Sequence, residues 1–524
     1  GETAASTSGT SSQSNSAGLP IVKDKITLRI LSETRADIQL GNDMPVFQEL
    51  EKRTNVHLDW ELLPVTKPEE KLNLIMSSGQ LPDLVSLSPY PELIVKYGME
   101  GAFIPVQDLI KEHAPDIKKA LDNPLPGDKL PYTMDCWAEL TASDGNVYTV
   151  PLLSSSNAIG AVYAIRDDWL QKLNLKTPET LDELYTALKA FKEKDPNGNN
   201  KPDELPFVSG QGSKTQTILP LINAYGAHMD LYVAKDGTIK YGPVEQQYKE
   251  GLQFLNKLYN EGLLESDYLT STRDQWIAKA SGNKAGFMFV WPSGGIAATN
   301  TNLAKLDPSY KFVPIAPVKG PRGDQFKDSK AAGAFMSYRT SITNENKYPV
   351  ETIKYLNYAF SEEGTKLVSY GIEGLHYNMV NGEPEYTDII TKNKDGLDPE
   401  TARIKDGIDW LGLPFQIGWE SHFKAMKDAA PMTVKAWELY REPGMVEAPF
   451  PTLKYTEDEL ARKNQIVTEI DTYKDAMIDK FIMGVEPLDK FDEFVQKINK
   501  AGLPELLKIC NEAYERYKNA GSAQ

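Results

Sequence analysis

Oxygen-bearing side chains are concentrated in one ten-residue stretch, residues 195–204, which reads DPNGNNKPDE. Asp, Asn, Asn, Asp and Glu occupy its first, third, fifth, ninth and tenth places. Ca²⁺ prefers about six to eight oxygen ligands at about 2.3 to 2.6 Å, and alternate residues of a tight loop can face one centre. The spacing therefore predicts a structural Ca²⁺ site whose candidate ligands are Asp195, Asn197, Asn199, Lys201 through its backbone carbonyl, Asp203 and Glu204.

The residues on either side of this loop favour a metal site over the alternative, a solvated polar turn of the kind that Asp, Asn, Gly and Pro form by themselves. Thr180 and Glu183 form a capping-box pair, and apolar residues keep helical spacing as far as Phe191. Residues 205–208 form a predicted short strand. A cation would join a helix end to a strand, which is a structural task. The glycine stands at the fourth place of the loop instead of the sixth, so the loop is not an EF-hand sensor.

Tryptophans in irregular segments are the second group of candidate functional residues. Sugars present apolar C–H faces and hydroxyl rims, so a sugar site needs exposed rings and fixed polar groups, usually in a pocket between domains. Residues 410–420 read WLGLPFQIGWE, and a predicted strand over residues 286–291 ends in a tryptophan. The candidates for ligand contacts here are Trp291, Trp410, Gln416 and Trp419. The alternative is that these rings are buried packing, as most tryptophans are.

The elements that must position these residues alternate between strands and helices after Pro20. Residues 26–31, 56–60 and 81–85 are predicted strands, with helices over 45–53 and 69–78 between them. This order predicts a mostly parallel sheet whose ligands bind beyond the carboxyl ends of the strands. Loop residues at those ends are further candidate contacts: Glu33, Arg35, Asp37, Ser88 and Tyr90.

Length and charge limit the class of protein. At 524 residues the chain is too long for one core and predicts at least two lobes. The net charge of −17 disfavours nucleic acid and anionic membranes as partners, because the summed field repels phosphate. The chain has no apolar run long enough to span a bilayer. Cys136 and Cys510 are far apart in sequence, and both a disulfide and two separate buried thiols remain open.

The amino terminus has the composition of a flexible tether. Residues 1–18 are almost all Ser, Thr, Gly, Ala, Asn and Gln, with no apolar pattern. One interpretation is the start of a mature secreted protein, held to the membrane if a lipid-modified cysteine precedes Gly1. The alternative is an ordinary disordered tail.

Several segments together resemble a known family, the extracellular solute-binding lipoproteins of ABC importers for oligosaccharides, family 1 type, and in particular the alginate-binding proteins. The matching segments lie along nearly the whole globule and are residues 97–109, 144–151, 165–170, 177–180, 195–204, 360–364, 481–484 and 502–506. Each segment alone is short, and their order and spacing carry the resemblance.

The resemblance implies an α/β, two-lobed, periplasmic-binding-protein-like fold with hinge strands and a helical carboxyl-terminal part. The expected division is a tether over residues 1–24, lobe 1 over 25–158 plus 325–375, and lobe 2 over 159–324 plus 376–524. In the alginate-binding relatives the loop matching residues 195–204 holds a structural calcium. Trp291 and Trp419 are similar to their aromatic platforms, and Arg35 and Asn157 fall near their polar contacts.

The predicted function is binding without chemistry. We expect the lobes to close on an oligosaccharide and the closed form to engage a membrane permease, with the protein a monomer, extracytoplasmic and lipid-anchored at the outer face of the cell membrane. One alternative is a glycosidase with paired carboxylates, although the sequence has no catalytic motif that would specify an enzyme. A purely structural surface protein is the other alternative, and it would bind no small ligand.

Overall fold

The structure of the protein is a computed structural model. It describes residues 18–34, 38, 40–87, 90–210, 213–409, 412–418, 425 and 430–520. Arg35, Asp37, Ser88, Trp410 and Trp419, which the sequence analysis singles out, lie outside the described residues.

The described strands form two larger sheets and two hairpins. The strands are β1 (Ile26–Ser32), β2 (Val56–Leu62), β3 (Leu84–Ser86), β4 (Val150–Ser154), β5 (Val162–Arg166), β6 (Leu205–Phe207), β7 (Leu231–Val233), β8 (Ile239–Tyr241), β9 (Ala285–Val290), β10 (Phe312–Ile315), β11 (Met336–Ile342), β12 (Tyr377–Val380), β13 (Glu383–Tyr386) and β14 (Gln416–Ile417). Sheet 1 has the order β14-β4-β11-β3-β1-β2, and sheet 2 has the order β10-β5-β9-β6. The hairpins are β7-β8 and β12-β13.

Each sheet contains one strand that runs against all the others. In sheet 1, β11 is antiparallel to both β3 and β4, while the remaining pairs are parallel. In sheet 2, β5 is antiparallel to both β9 and β10. Both reversed strands directly follow a passage of the chain from one sheet to the other. The predicted mostly parallel order therefore holds for the other strands, and the two crossings explain the exceptions.

Helices cover the sheets and make up the carboxyl-terminal part. They are α1 (Pro45–Thr54), α2 (Pro68–Ser77), α3 (Pro91–Met99), α4 (Gln107–His113), α5 (Pro115–Asp122), α6 (Cys136–Leu140), α7 (Asp167–Lys172), α8 (Leu181–Glu193), α9 (Lys214–Thr217), α10 (Gln246–Asn260), α11 (Arg273–Ser281), α12 (Ala298–Leu303), α13 (Pro349–Tyr358), α14 (Glu362–Tyr370), α15 (Asp388–Thr391), α16 (Pro399–Lys405), α17 (Pro431–Tyr440), α18 (Glu457–Met483), α19 (Phe491–Lys500) and α20 (Leu503–Ala520). Short 3₁₀-helices lie at Ser155–Ala158, Leu219–Tyr225, Gly242–Val244 and Leu488–Lys490, and a π-helix at Pro292–Ala297.

Local sequence explains where several helices begin and end. The predicted Thr180–Glu183 capping box is present at the start of α8, and α11 and α18 begin with the same motif at Thr272 and Thr456. Helix α18 ends at Gly484, whose φ of 74° suits glycine at a helix end. The predicted helical carboxyl-terminal part is confirmed by α18, α19 and α20.

Two segments carry the chain between the sheets. Residues 155–161 lead from β4 to β5, and residues 316–335 return from β10 to β11. The two segments pack closely at Gly160 and Gly333, because a methyl group at either position would collide with backbone atoms of the other segment. Glycine is therefore required where these segments meet.

The α/β two-lobed class is confirmed by this arrangement, whereas the exact division into lobes stays a prediction. Gln416–Ile417, which that prediction assigns to lobe 2, pairs with Leu153–Ser154 in sheet 1. Residues 21–23, which it assigns to the tether, hydrogen-bond to Thr54 and Asn55 of the globule.

Two further features of the described chain bear on the sequence analysis. Cys136 and Cys510 are both buried and free, so the alternative of two separate thiols is the one observed. None of the described helices is both long and apolar enough to cross a membrane.

Candidate functional site

A cleft of about 1010 Å³ lies between the two sheets. Its walls include residues at the carboxyl ends of strands from both sheets, namely Thr34, Ser154, Val290 and Trp291. Phe415, immediately before β14, also lines it. This is the position that the alternation of strands and helices predicts for a ligand site.

Trp291 presents an exposed aromatic ring to this cleft. It follows β9 directly, and its backbone carbonyl accepts hydrogen bonds from the amides of Gly295 and Ile296 in the π-helix. The side chain is 38% exposed, whereas the neighbouring Pro292 and Val290 are buried. The backbone is thus anchored while the ring stays open to a ligand, as a sugar platform requires.

Asn157 also lines the cleft and belongs to the 3₁₀-helix Ser155–Ala158 of the first crossing segment. Its Oδ1 accepts a hydrogen bond from Ser156 Oγ at 3.4 Å, and Ser156 Oγ lies 3.1 Å from Ser154 Oγ. These three side chains form a row of short polar groups from the end of β4 into the first crossing segment. Hydroxyl and amide groups held in this way can exchange hydrogen bonds with a ligand's hydroxyls.

Charged side chains from two helices complete the lining. Arg273 and Asp274 lie at the start of α11, and Glu400 and Arg403 belong to α16. Arg403 Nη2 lies 3.4 Å from Asp409 Oδ2, and the Arg403 side chain is fully buried. Burial raises the pKa of Asp409 to about 6, with Arg403 opposing the rise and Glu400 adding to it.

Three predicted contacts, Gln416, Tyr90 and Glu33, are not among the residues that line the cleft. Gln416 Oε1 accepts a hydrogen bond from the backbone amide of Leu125 at 3.2 Å. Tyr90 is half-buried just before α3, and burial together with nearby Glu69 raises the pKa of its hydroxyl. Glu33 does not line the cleft either, since its carboxylate pairs with Arg339 at 2.6 Å.

The charged residues of the cleft were not predicted from the sequence. Arg273 follows a Thr272–Gln275 capping box, which predicts a helix start but says nothing about what that start faces. Glu400 and Asp409 lie outside any recognisable motif. Only the fold brings them to Trp291, more than one hundred residues earlier in the chain.

The loop at residues 195–204 has the turns that the calcium prediction requires. Asp195, Gly198 and Asn200 all have positive φ angles, of 47°, 71° and 59°. Asn197 and Asn199 donate side-chain hydrogen bonds to the carboxylate of Asp203 at 2.9 to 3.0 Å, which lowers the pKa of Asp203. Lys201 donates its backbone amide to Asn199 Oδ1 at 2.9 Å.

Two carboxylate oxygens in this loop are buried without a hydrogen-bond partner in the described structure: Asp195 Oδ1 and Glu204 Oε1. Burial and the neighbouring Asp195 raise the pKa of Glu204. If the side-chain amides of Asn197 and Asn199 were rotated, their oxygens instead of their nitrogens would face Asp203. The loop would then present amide and carboxylate oxygens, which are the ligands that a hard cation prefers. As placed, no three His, Cys, Asp or Glu side chains of the described residues converge as metal ligands.

Comparison with known proteins decides the class. The family model of the bacterial extracellular solute-binding proteins matches residues 40–366, which is more than half of the chain. The chain belongs to this family. The predicted resemblance and binding function are thereby confirmed, as is the prediction that the chain is not an enzyme.

This solute-binding protein has relatives that match over nearly their full length. It is 27% identical to the fructooligosaccharide ABC transporter substrate-binding protein FusA of Streptococcus pneumoniae, covering 91% of this chain and 88% of FusA. It is also 27% identical to the polygalacturonan/rhamnogalacturonan-binding protein YtcQ of Bacillus subtilis, covering 90% of this chain and 88% of YtcQ. Among solved structures, the alginate-binding protein AlgQ2 without calcium ion aligns with a TM-score of 0.76 and 28% identity, covering 94% of this chain and 99% of AlgQ2.

Proposed function

We propose that the protein captures an oligosaccharide in the cleft between its two sheets and delivers it to the permease of an ABC importer. The observation that carries this proposal is the exposed ring of Trp291 on a cleft of about 1010 Å³. A ring of this kind can stack on the C–H face of a sugar. The names of FusA, YtcQ and AlgQ2, all binders of carbohydrate chains, support the same ligand class.

The polar row at Ser154, Ser156 and Asn157 supplies partners for sugar hydroxyls on the other side of the cleft. We propose Trp410 and Trp419 as further aromatic platforms and Arg35 as a further polar contact. Phe415, which lies between the two tryptophans in sequence, lines the cleft, and so does Thr34 next to Arg35. Tyr90 and Gln416 are better assigned to the supporting structure, given their observed contacts.

Closure of the cleft would use the two crossing segments as a hinge. Ligand contacts to both sheets stabilise the closed arrangement. The free energy available for closure equals the difference between the ligand's binding free energies for the closed and the open arrangement. The permease would then distinguish closed from open protein. We propose that the protein acts as a monomer.

We propose that residues 195–204 hold a structural Ca²⁺. Asp195 and Glu204 would place their partnerless buried oxygens on the ion, joined by Asn197, Asn199, Asp203 and the carbonyl of Lys201. The ion would tie the end of α8 to the start of β6 without any part in ligand chemistry. The AlgQ2 structure that shares this fold is distinguished as a form without calcium ion, which indicates that AlgQ2 also has a calcium-bound form. This supports the proposal.

The family is extracellular, and we propose a lipid anchor for this chain. Residues 1–18 have the composition of a spacer between a membrane and a globule.

A glycan panel screened by thermal shift tests the ligand class. We expect at least one oligosaccharide to raise the melting temperature and monosaccharides to raise it less, because a longer ligand can contact more of the cleft lining. A flat response across plant, bacterial and fructan oligosaccharides would overturn the proposed function.

A further inference from the structure

The carboxylate of Glu400 stands out among the cleft residues because one of its oxygens is buried and has no partner. Oε2 makes no hydrogen bond within the described residues. Across from it is the backbone of Gly294, where a methyl group would lie 3.6 Å from Oε2 and 3.9 Å from Oε1. Glu400 therefore faces the segment that carries Trp291. A buried carboxylate oxygen gains a partner if a ligand brings a hydrogen-bond donor.

The other charged side chains of the described cleft wall are two arginines and two aspartates. Arg403 is fully buried and lies against Asp409, and the Arg403 guanidinium is also 6.0 Å from the ring of Tyr386. Arg273 and Asp274 are adjacent in sequence, and both are exposed. Together with Glu400, the described lining carries three acidic and two basic side chains. This part of the wall is therefore net negative by one charge.

A second negative charge in this place would be unfavourable. The pKa of Asp409 is already raised to about 6 by burial, with the charge of Glu400 contributing in the same direction. A uronic acid residue brings a carboxylate, which cannot donate a hydrogen bond at neutral pH and repels like charge in a partly desolvated cleft. A neutral sugar brings hydroxyl donors instead.

We infer that the cleft selects neutral oligosaccharides over uronic acid oligosaccharides, and that Glu400 is the selecting residue, accepting hydrogen bonds from sugar hydroxyls. This inference rests on the proposed function and narrows its ligand class. The relatives do not decide the question, because FusA and YtcQ, at 27% identity each, are named for a neutral fructan and an acidic pectin respectively.

Isothermal titration calorimetry with two matched ligand sets tests the inference. One set contains neutral tri- and tetrasaccharides of fructose, glucose and galactose, and the other contains tri- and tetragalacturonate. We expect the wild type to bind a neutral member at least about 100-fold more tightly than any uronate. A hydrogen bond to a charged group is worth roughly tenfold or more in affinity. We therefore expect Glu400→Gln to lower the affinity for the neutral ligand by about 10-fold or more. The ratio between the affinities for the neutral ligand and for galacturonate should also become smaller.

Glu362→Gln is the matched control, because Glu362 is exposed at the start of another helix and lies outside the cleft lining. It should leave both affinities unchanged. Equal or tighter binding of galacturonate by the wild type would overturn the inference while leaving the proposed function intact. Unaltered neutral binding by a folded Glu400→Gln protein would overturn the role of Glu400. Binding of neither set would overturn the proposed function itself. The wild-type ratio tests the ligand class even if the variant fails to fold.

Discussion

The side-chain ammonium of Lys327 donates a hydrogen bond to the backbone carbonyl of Ala161. The same ammonium donates to the carbonyl of Ile159, so a residue of the second crossing segment holds the first one. The backbone of Lys327 also exchanges hydrogen bonds with Met445 and Glu447 of a third segment. Lys327 is fully buried, and its hydrogen bonds join three segments of the chain at the proposed hinge between the lobes.

Replacing Lys327 should change how stability depends on pH. Burial lowers the pKa of Lys327 from 10.5 to about 7, with the neighbouring Asp328 opposing the change. Between pH 7 and 10.5 the unfolded state therefore binds more protons at this residue than the folded state, and this residue's contribution to stability rises with pH. We expect the wild type to gain stability relative to Lys327→Met as pH rises from 7 to 10, measured by urea unfolding.

The exposed Lys235 in the β7–β8 turn provides the control. Lys235→Met should follow the wild-type pH profile. A constant stability difference between wild type and Lys327→Met across this range would contradict the argument.

Trp291→Ala should remove most sugar binding and leave the fold intact. The ring is exposed, so its loss leaves no core cavity, whereas a stacked sugar loses its platform. We expect affinity to fall at least about tenfold, which is about 1.4 kcal/mol, with little change in the unfolding free energy. Trp169 is the contrasting case, because it is buried against Phe191 and the Arg166 guanidinium. Trp169→Ala should cost about 3 to 5 kcal/mol of stability. If Trp291→Ala destabilised the fold to a similar degree, the ring would be a core residue.

Removal of calcium should lower the melting temperature, and added calcium should restore it. An ion bound only by the folded state adds about 2.7 kcal/mol when present at a hundredfold excess over its Kd. Asp195→Asn should abolish this response, measured by calorimetry with and without chelator. Asp236→Asn, in an exposed turn where the carboxylate binds Thr238 and Lys240, should keep it. An identical melt with chelator and with calcium would argue against the site.

Glu33→Gln should reduce stability but not ligand affinity. Its carboxylate lies 2.6 Å from the nearly buried guanidinium of Arg339, and neutralising it weakens a charge-assisted hydrogen bond. We expect a loss of about 1 to 3 kcal/mol in urea unfolding. A drop in sugar affinity without any loss of stability would restore Glu33 as a ligand contact.

Local sequence predicted the elements whose cause is local. The Thr180–Glu183 capping box starts α8, and the apolar run at residues 286–291 becomes β9. The composition of residues 195–204 predicted a wrapped loop, and the positive φ angles at Asp195 and Asn200 bear that out. In each case neighbouring residues alone determine the conformation.

Side-chain direction and distant partners were not predictable in this way. Glu33 follows β1 as expected, but its partner Arg339 is 306 residues away. Gln416 lies in a tryptophan-rich segment, yet strand pairing turns it toward Leu125. Glu400 reaches the cleft only because α16 packs near the π-helix at Pro292–Ala297. Tertiary packing, which no spacing rule encodes, decides these positions.

We propose that the cleft beside Trp291 binds an oligosaccharide and releases it unchanged. The most direct test is a calorimetric titration of the wild type with the best neutral oligosaccharide from the panel, followed by mass spectrometry of the recovered sugar. We predict saturable binding of one oligosaccharide per chain and recovery of the intact molecule. Absence of binding, or recovery of shortened fragments, would contradict the account.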